Sequence, residues 1–334
     1  MSTVFETPPP NFSQHDIIQI LLSHYSINAE ANPLVSDRDQ NFLIKTDKGQ
    51  KYLLKISNPA EQLQILEMQN EATLFIRSQD PDLGVPLQIG EIQEIEKNGL
   101  TYFVRLFKYL EGQLLKDKGI ADSSYEKLGK FLGRLNRSLD SFNHPAADRE
   151  FHWDLQNIEL IRSRFSYLEF ESEKNIVSYF LDQYESHVSI NKSHLRKMII
   201  HNDGNDDNVL VNHNGQTTGI IDFGDMVYSY QVAEPAICMA YVGLGNKDPY
   251  RSMSLVLKGY HSRFPLNDVE LSSALYLTCI RLCISVTMAA WRMKLFPDNT
   301  YLYTSQNQAW KLLKLMKNED LIKRSVQLLT YAKS

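Results

Sequence analysis

The chain changes its pattern of apolar and polar positions near residue 110. Before that point, short β-prone runs alternate with two helical stripes. Residues 16–25 (DIIQILLSHY) carry apolar residues at helical spacing and predict an amphipathic helix. Residues 41–46 (NFLIKT) and 52–56 (YLLKI) flank Asp47-Lys48-Gly49-Gln50, the pattern of a hairpin. Residues 61–77 place Ile65, Met68, Ala72, Phe75 and Ile76 on one helical stripe. A second hairpin is predicted where a run near Ile95 reaches Asn98-Gly99 and returns through residues 101–107 (TYFVRLF). Residues 1–12, with Pro8, Pro9 and Pro10, are expected to form a loose arm.

From about Tyr125 onward the periodicity is helical, with helices expected at 123–142, 157–187, 231–244, 250–262, 267–293 and 304–331. One β island, residues 200–225, interrupts them. Strand, strand, helix, strand, strand, then helices, is the order of an α+β chain with two lobes. The expected division is 1–108 and 109–334, with residues 107–112 (FKYLEG) as the link.

The β island reads IHNDGNDDNVLVNHNGQTTGIIDFGD. Val209-Leu210-Val211 and Gly219-Ile220-Ile221 flank a turn containing Asn214-Gly215, which predicts a second-lobe hairpin. Such a hairpin puts Asn208 at the start of one strand and Asp222 at the end of its partner, so the two side chains converge. Asp203 precedes Asn208 by five residues, in a His201-x-Asp203 loop. An acid, an amide and a second acid at this spacing can hold Mg²⁺ and aim a hydroxyl at a γ-phosphate. Phosphoryl transfer asks the protein for positioning and charge neutralisation more than for covalent chemistry. Asp203 would accept the hydroxyl proton or orient that hydroxyl, while Asn208 and Asp222 would offer oxygens to the metal. His201 joins the catalytic set as a brace of the loop. The competing reading is a solvated polar loop, since Asp and Asn are common turn residues.

Composition narrows the partners. The 334 residues suffice for two cores, with 43% hydrophobic and 22% charged residues. A formal net charge of −5 argues against a nucleic acid partner. No apolar run is read as approaching the roughly 18 residues of a membrane span, so no membrane partner is expected. The cysteines are Cys238, Cys279 and Cys283; the latter two stand four apart in an apolar segment and are expected to be core thiols. With no metal-thiolate spacing, a reducing cytoplasm is expected.

In the first lobe, Lys55 lies mid-strand with Leu53 on its face, a setting that calls for a counter-charge or a phosphate. The alternative is a solvent-facing strand lysine. Its partner acid should come from the following helix, where Glu67 and Glu71 are one turn apart. Glu71 fits the apolar positions Leu74 and Phe75 better. Ser36, Gln40 and Asn41 occupy the place of a phosphate-covering loop, without the glycines that let backbone amides approach phosphate. Phe107 and Tyr109 stand in the link, where a purine edge could meet backbone groups.

Together these segments resemble the aminoglycoside phosphotransferase/choline kinase superfamily, and within it hydroxylysine kinase-like small-molecule kinases. Residues 36–42, 52–56, 67–70, 201–225 on to Glu234, 281–287 and 297–302 carry the resemblance. It implies a bilobal protein-kinase-like fold and a Mg²⁺-dependent kinase of a small amino-alcohol, with ATP or GTP as donor. It also implies Asp203 as catalytic base, Asn208 and Asp222 as metal ligands, and Lys55 as the phosphate lysine. The chain departs from the family at Asn202, where a small residue is usual, and at Gly204, where an apolar one is common.

A zwitterionic acceptor needs an anion for its ammonium and a cation for its carboxylate. Asp225 and Glu234 are candidates for the first. Arg281, inside a very apolar segment, is either a carboxylate anchor or half of an internal ion pair. Trp291 is a further candidate, with a core tryptophan as its alternative, and Trp153 could enter the site or simply pack. The other functional readings are a homoserine or choline kinase, an aminoglycoside phosphotransferase, and an inactive pseudokinase acting as a binding module.

Overall fold

The computed structural model describes residues 3–118, 122–298 and 306–334. The chain forms two compact units: Met1–Leu74 with Val85–Glu111, and Phe75–Gly84 with Gly112–Ser334. The boundary expected after residue 108 thus falls after Glu111, and residues 75–84 belong to the second unit.

The first unit holds helix α1 (Gln14–Tyr25), strands β1 (Ala29–Leu34), β2 (Gln40–Thr46) and β3 (Lys51–Ile56), most of helix α2 (Leu63–Gln79), and strands β4 (Gln88–Lys97) and β5 (Leu100–Lys108). The strands make one antiparallel sheet in the order β1-β2-β3-β5-β4. Both expected hairpins are present. Gly49 turns the first with φ +76°, and Asn98-Gly99 turns the second with φ +54° and +75°, the primed geometry that matches strand twist. Strand β1 was not read from the sequence. Its Pro33 weakens a strand pattern, and Pro is tolerated here because β1 is an edge strand.

Strand alternation gives the sheet two faces. Phe42, Ile44, Leu54, Ile56, Val104 and Leu106 pack against Ile17, Ile20 and Leu21 of α1. Asn41, Lys55 and Arg105 stand side by side across the other face, because they are register partners. Residues 3–12 are not a loose arm. Phe5 and Phe12 are buried, Gln40 grips the Phe12 backbone through both ends of its amide (2.8 and 2.9 Å), and Asn58 holds the carbonyl of Thr7 (3.1 Å).

The second unit begins with β6 (Gln113–Leu114), α3 (Leu115–Lys118) and α4 (Asp122–Leu139). The helix expected over 157–187 is two: α5 (Glu159–Ser163) and α6 (Glu171–His187), parted by a 3₁₀ turn at Phe165–Tyr167. Glu173 reaches back to the Phe170 N–H and restarts the helix there. Then come β7 (Lys197–Ile200), β8 (Val209–Val211), β9 (Thr217–Ile220), β10 (Val227–Tyr230), α7 (Ala233–Gly243), α8 (Pro249–Arg263) and α9 (Asp268–Leu295). The last expected helix is also two, α10 (Gln306–Lys317) and α11 (Leu321–Ala332), because Asp320 caps a fresh start at the Lys323 N–H. Its expected first residues, 304 and 305, lie outside the described residues, as do residues 299–302 of the segments that carried the family resemblance.

Helix α9 is the axis of this unit, with α6, α7, α10 and α11 packed on it. A capping box of Asn267 and Glu270 starts it, and Arg196 pairs with the same glutamate at 2.5 Å. The expectation of no span-like run needs correction. Among the described residues α9 is long and apolar enough to cross a membrane by length and composition, but 89% of its most apolar window is buried inside the protein, as in a core helix. Helices α4 and α8 cross closely through glycines: a Cβ on Gly129 would lie 2.0 Å from the Val256 carbonyl, and one on Gly259 2.1 Å from that of Glu126. All three cysteines are free and buried, and burial pushes their thiols up, away from reactivity.

Candidate active site

Strands β8 and β9 pair as a hairpin with Val209 opposite Ile220, and the Ile221 N–H donates to the Asn208 carbonyl at 2.9 Å. Asn208 and Asp222 are thereby brought to the same end of the hairpin. The amide of Asn208 donates to Asp203 twice, to Oδ2 at 2.6 Å and to the backbone carbonyl at 3.1 Å. With Nδ2 so used, Oδ1 is the atom the amide presents for a cation. Asp222 sits at φ +60°, an uncommon backbone state for a residue with a side chain, and accepts from the Gly224 N–H at 3.3 Å. Arg149 clamps the segment after it through the carbonyls of Gly224 (2.8 Å) and Met226 (2.8 and 3.1 Å), a role not read from the sequence. No group of three His, Cys, Asp or Glu is arranged to hold a metal among the described residues. One amide and one carboxylate suit a hard cation that takes its other oxygens from phosphate and water.

Asp203 is the hub. Besides Asn208, its Oδ1 accepts from Asn205 Nδ2 and from Arg281 Nη2, each at 2.8 Å. Asn205 Oδ1 in turn accepts from the N–H groups of Asp207 (2.8 Å) and Asn208 (3.1 Å), which folds NDGNDDN into a tight turn rather than a solvated loop. His201 is fully buried. The Asp203 N–H donates to its Nδ1 at 3.3 Å, which leaves the ring proton on Nε2, facing the Ile221 carbonyl at 3.1 Å. Both ring nitrogens thus go to backbone, so His201 braces the loop rather than meeting substrate.

Three of the four expected acceptor contacts are corrected or refined by the structure. Glu234, on α7, is 0% exposed and lies behind the loop, where its Oε2 accepts from the Asn202 N–H at 3.1 Å. Burial pushes its carboxyl up from the usual range, against the lowering effects of His201 and of the backbone bonds. It is a support of the loop, out of reach of an acceptor ammonium. Trp291 stacks on His152 at 5.6 Å with the Arg164 guanidinium 4.8 Å over its ring, a core arrangement. Arg281 is half of an ion pair, and its partner is Asp203 itself. Tyr241, missed in the sequence, also accepts from Arg281 Nη2 at 3.1 Å. Its position seven residues after Glu234 puts both on one face of α7, which is the signal that could have found it. Burial opposes the Arg281 charge, but Tyr241 and Asp203 outweigh it and raise its proton affinity. Asp225 is buried, and its charge is also felt at Arg281 and Tyr241.

The two departures noted at this loop have physical accounts. Asn202 takes φ +67°, and Asn is the residue that tolerates this region best after Gly. Gly204 is closely packed: a Cβ there would lie 2.9 Å from Glu234 Oε1 and 3.0 Å from Leu132 Cδ2, so both side-chain ends would have to shift.

In the first unit, Lys55 is 8% exposed with its ammonium 3.6 Å from Asp39 Oδ2. Asp39 also accepts from the Asn58 N–H at 3.1 Å, so this carboxylate organises the loop that lacks glycines. Glu67 and Glu71 are both on the exposed side of α2, and Ser36 is exposed. The amide of Gln40 is committed to Phe12 at both ends, which removes it from the candidate phosphate donors. Asn41 keeps its place opposite Lys55, and its Oδ1 has no protein partner. Phe107 is buried beneath the Arg105 guanidinium (5.2 Å), and the Tyr109 N–H donates to the Lys51 carbonyl at 3.3 Å.

A family model described as phosphotransferase enzyme family matches residues 30–259. The chain belongs to that family. This phosphotransferase is 31% identical over 314 residues to a hydroxylysine kinase of Mus musculus, covering 85% of this chain and 84% of the relative. A microcompartment-associated aminopropanol kinase superposes with TM-score 0.71 at 17% identity, covering 95% and 96% of the two chains. An amicoumacin kinase, in complex with AMP-PNP, Ca²⁺ and Ami, superposes with TM-score 0.67 at 15% identity, covering 88% and 91%. The fold is the protein-kinase-like one, and the phosphotransferase is a small-molecule kinase.

Proposed function

We propose that this kinase uses Mg²⁺ and ATP or GTP to phosphorylate the hydroxyl of a small amino-alcohol or hydroxylated amino acid, of hydroxylysine type. The observation that carries the reading is the Asp203 carboxylate, held by Asn205, Asn208 and Arg281 at the end of the hairpin that also ends in Asp222. Asp203 accepts or orients the acceptor's hydroxyl proton. Asn208 Oδ1 and the Asp222 carboxylate would hold the cation, which supplies neutralisation of phosphate charge when bound. Lys55 would contact donor phosphate, in competition with Asp39. The likeness to a mouse hydroxylysine kinase supports the acceptor class, as does an ion-paired Arg281 beside the base.

The test is nucleoside diphosphate release with Mg²⁺, ATP or GTP, and a panel of hydroxylysine, amino-alcohols, choline, homoserine and aminoglycosides. Turnover with hydroxylysine or a close amino-alcohol is expected. Turnover confined to choline or aminoglycosides would reject the acceptor class, and absence of both turnover and Mg-nucleotide binding would reject the enzyme reading.

A further inference from the structure

Arg281 is built into the second unit as a charged group with spare capacity. It is 2% exposed, and it lies mid-way along α9, where an isolated charge would be strongly disfavoured. Its guanidinium lies against two aromatic rings, 4.4 Å from the Trp153 centroid and 5.4 Å from that of Tyr241. A guanidinium has five N–H donors. Nη2 serves Asp203 and Tyr241, while Nε and Nη1 have no protein partner. An ion pair needed only to position Asp203 would be met by Nη2 alone. A small cavity of about 10 Å³, roughly the room for one water or one carboxylate oxygen, is lined by Arg281, Tyr241 and Ser285 among otherwise apolar side chains.

We infer that Arg281 is the specificity-determining residue for the acceptor: it holds Asp203 with Nη2 and takes an oxygen of the acceptor's carboxylate with its unpartnered donors. This rests on the kinase reading above and deepens it. The two alternatives raised by the sequence, carboxylate anchor and internal ion pair, are then one device. Binding the acid end and aiming the base are done by a single rigid group, so the distance between an acceptor's carboxylate and its hydroxyl is measured against Asp203. The ligand class is a hydroxylated amino acid with a free carboxylate. Amino-alcohols without an acid would leave a buried cation's donors unmet, and the loss of one charged hydrogen-bond partner corresponds to about 10- to 100-fold in kcat/KM.

The experiment compares hydroxylysine with its carboxamide, which keeps the hydroxyl and both amines and removes only the acid. The wild-type enzyme is expected to prefer the acid by about 10- to 100-fold in kcat/KM. In Arg281→Met, and to a lesser degree in Arg281→Lys, kcat falls for both acceptors, and the acid-to-amide ratio collapses towards one. A wild-type ratio near one would overturn the inference, as would a ratio that survives in Arg281→Met. The wild-type comparison stands even where the methionine variant fails to fold. Transfer to neither acceptor, with Mg-nucleotide binding and hydrolysis retained, would overturn this acceptor assignment and leave the kinase reading standing. Absence of nucleotide binding would overturn both.

Discussion

Asp203 and Glu234 carry the same functional group and lie on opposite sides of one short loop, in very different company. In front of the loop, Asp203 is partly exposed and meets an arginine and two amides. Behind it, Glu234 is sealed from solvent, meets only backbone N–H groups of the loop, and has an Oε1 with no protein partner. The front surrounds a carboxylate with donors and aims it, which is what proton acceptance requires. The back raises the proton affinity of its acid by burial, and that acid is a strut against which the backbone of Asn202 and Gly204 is pressed. A single loop thus uses one acid for chemistry and another for shape, and burial decides which is which.

The sharpest way to break this comparison is at its front. Asp203→Ala is expected to lower kcat by about 10³-fold while Mg-nucleotide affinity, read by equilibrium binding, stays close to wild type. Transfer that persists with weakened nucleotide binding would assign Asp203 to the donor instead. Next comes the contact between the loop and its strut. Gly204→Ala drives a methyl into Glu234 and Leu132, and a loss of about 2 kcal/mol is expected in urea unfolding; an unchanged midpoint would mean the back of the loop is not tightly packed.

Glu234→Gln probes protonation. A carboxyl raised in the folded state contributes stability that is full below its unfolded-state value and is lost as pH climbs through the folded-state value. Wild-type stability should therefore decline from the ordinary glutamate range upward, and the glutamine variant should decline less. Identical pH profiles would show that Glu234 is ionised in the folded protein. The smallest effect is expected at Asn202→Gly. It relieves a left-handed backbone state and deletes a buried amide whose two polar atoms have no partner. A gain of about 1 kcal/mol is expected after the loss of packing and of backbone restriction is counted, and a clear loss in thermal unfolding would show that the amide is satisfied by bound solvent.

The features that were legible in the sequence are those fixed by neighbours along the chain. Asn98-Gly99, Gly49 and Asn214-Gly215 announce turns because only a few residues adopt their backbone angles. The hairpin from Asn208 to Asp222 follows from such a turn, and with it the placing of both residues at one end of the pair. What could not be read depends on contacts across long separations. Arg281 meets Asp203 across 78 positions, so its pairing waits on where α9 comes to rest. Glu234 looks like any acid at a helix start until burial is known. The long helices expected over 157–187 and 304–331 were broken by local caps at Glu173 and Asp320, signals present in the sequence but outweighed by periodicity. Pro33 hid an edge strand for the same reason that an edge strand can accept it.

The docked first segment has a practical consequence for anyone trimming or tagging this chain. Pro8, Pro9 and Pro10 invite the deletion of residues 1–12 as a dispensable tail, yet two phenyl rings there fill space in the small unit. Removing them also strands the amides of Gln40 and Asn58, which grip its backbone. A shortened chain should become protease-sensitive throughout the small unit, and an activity assay on it would report an unfolding domain rather than the catalyst.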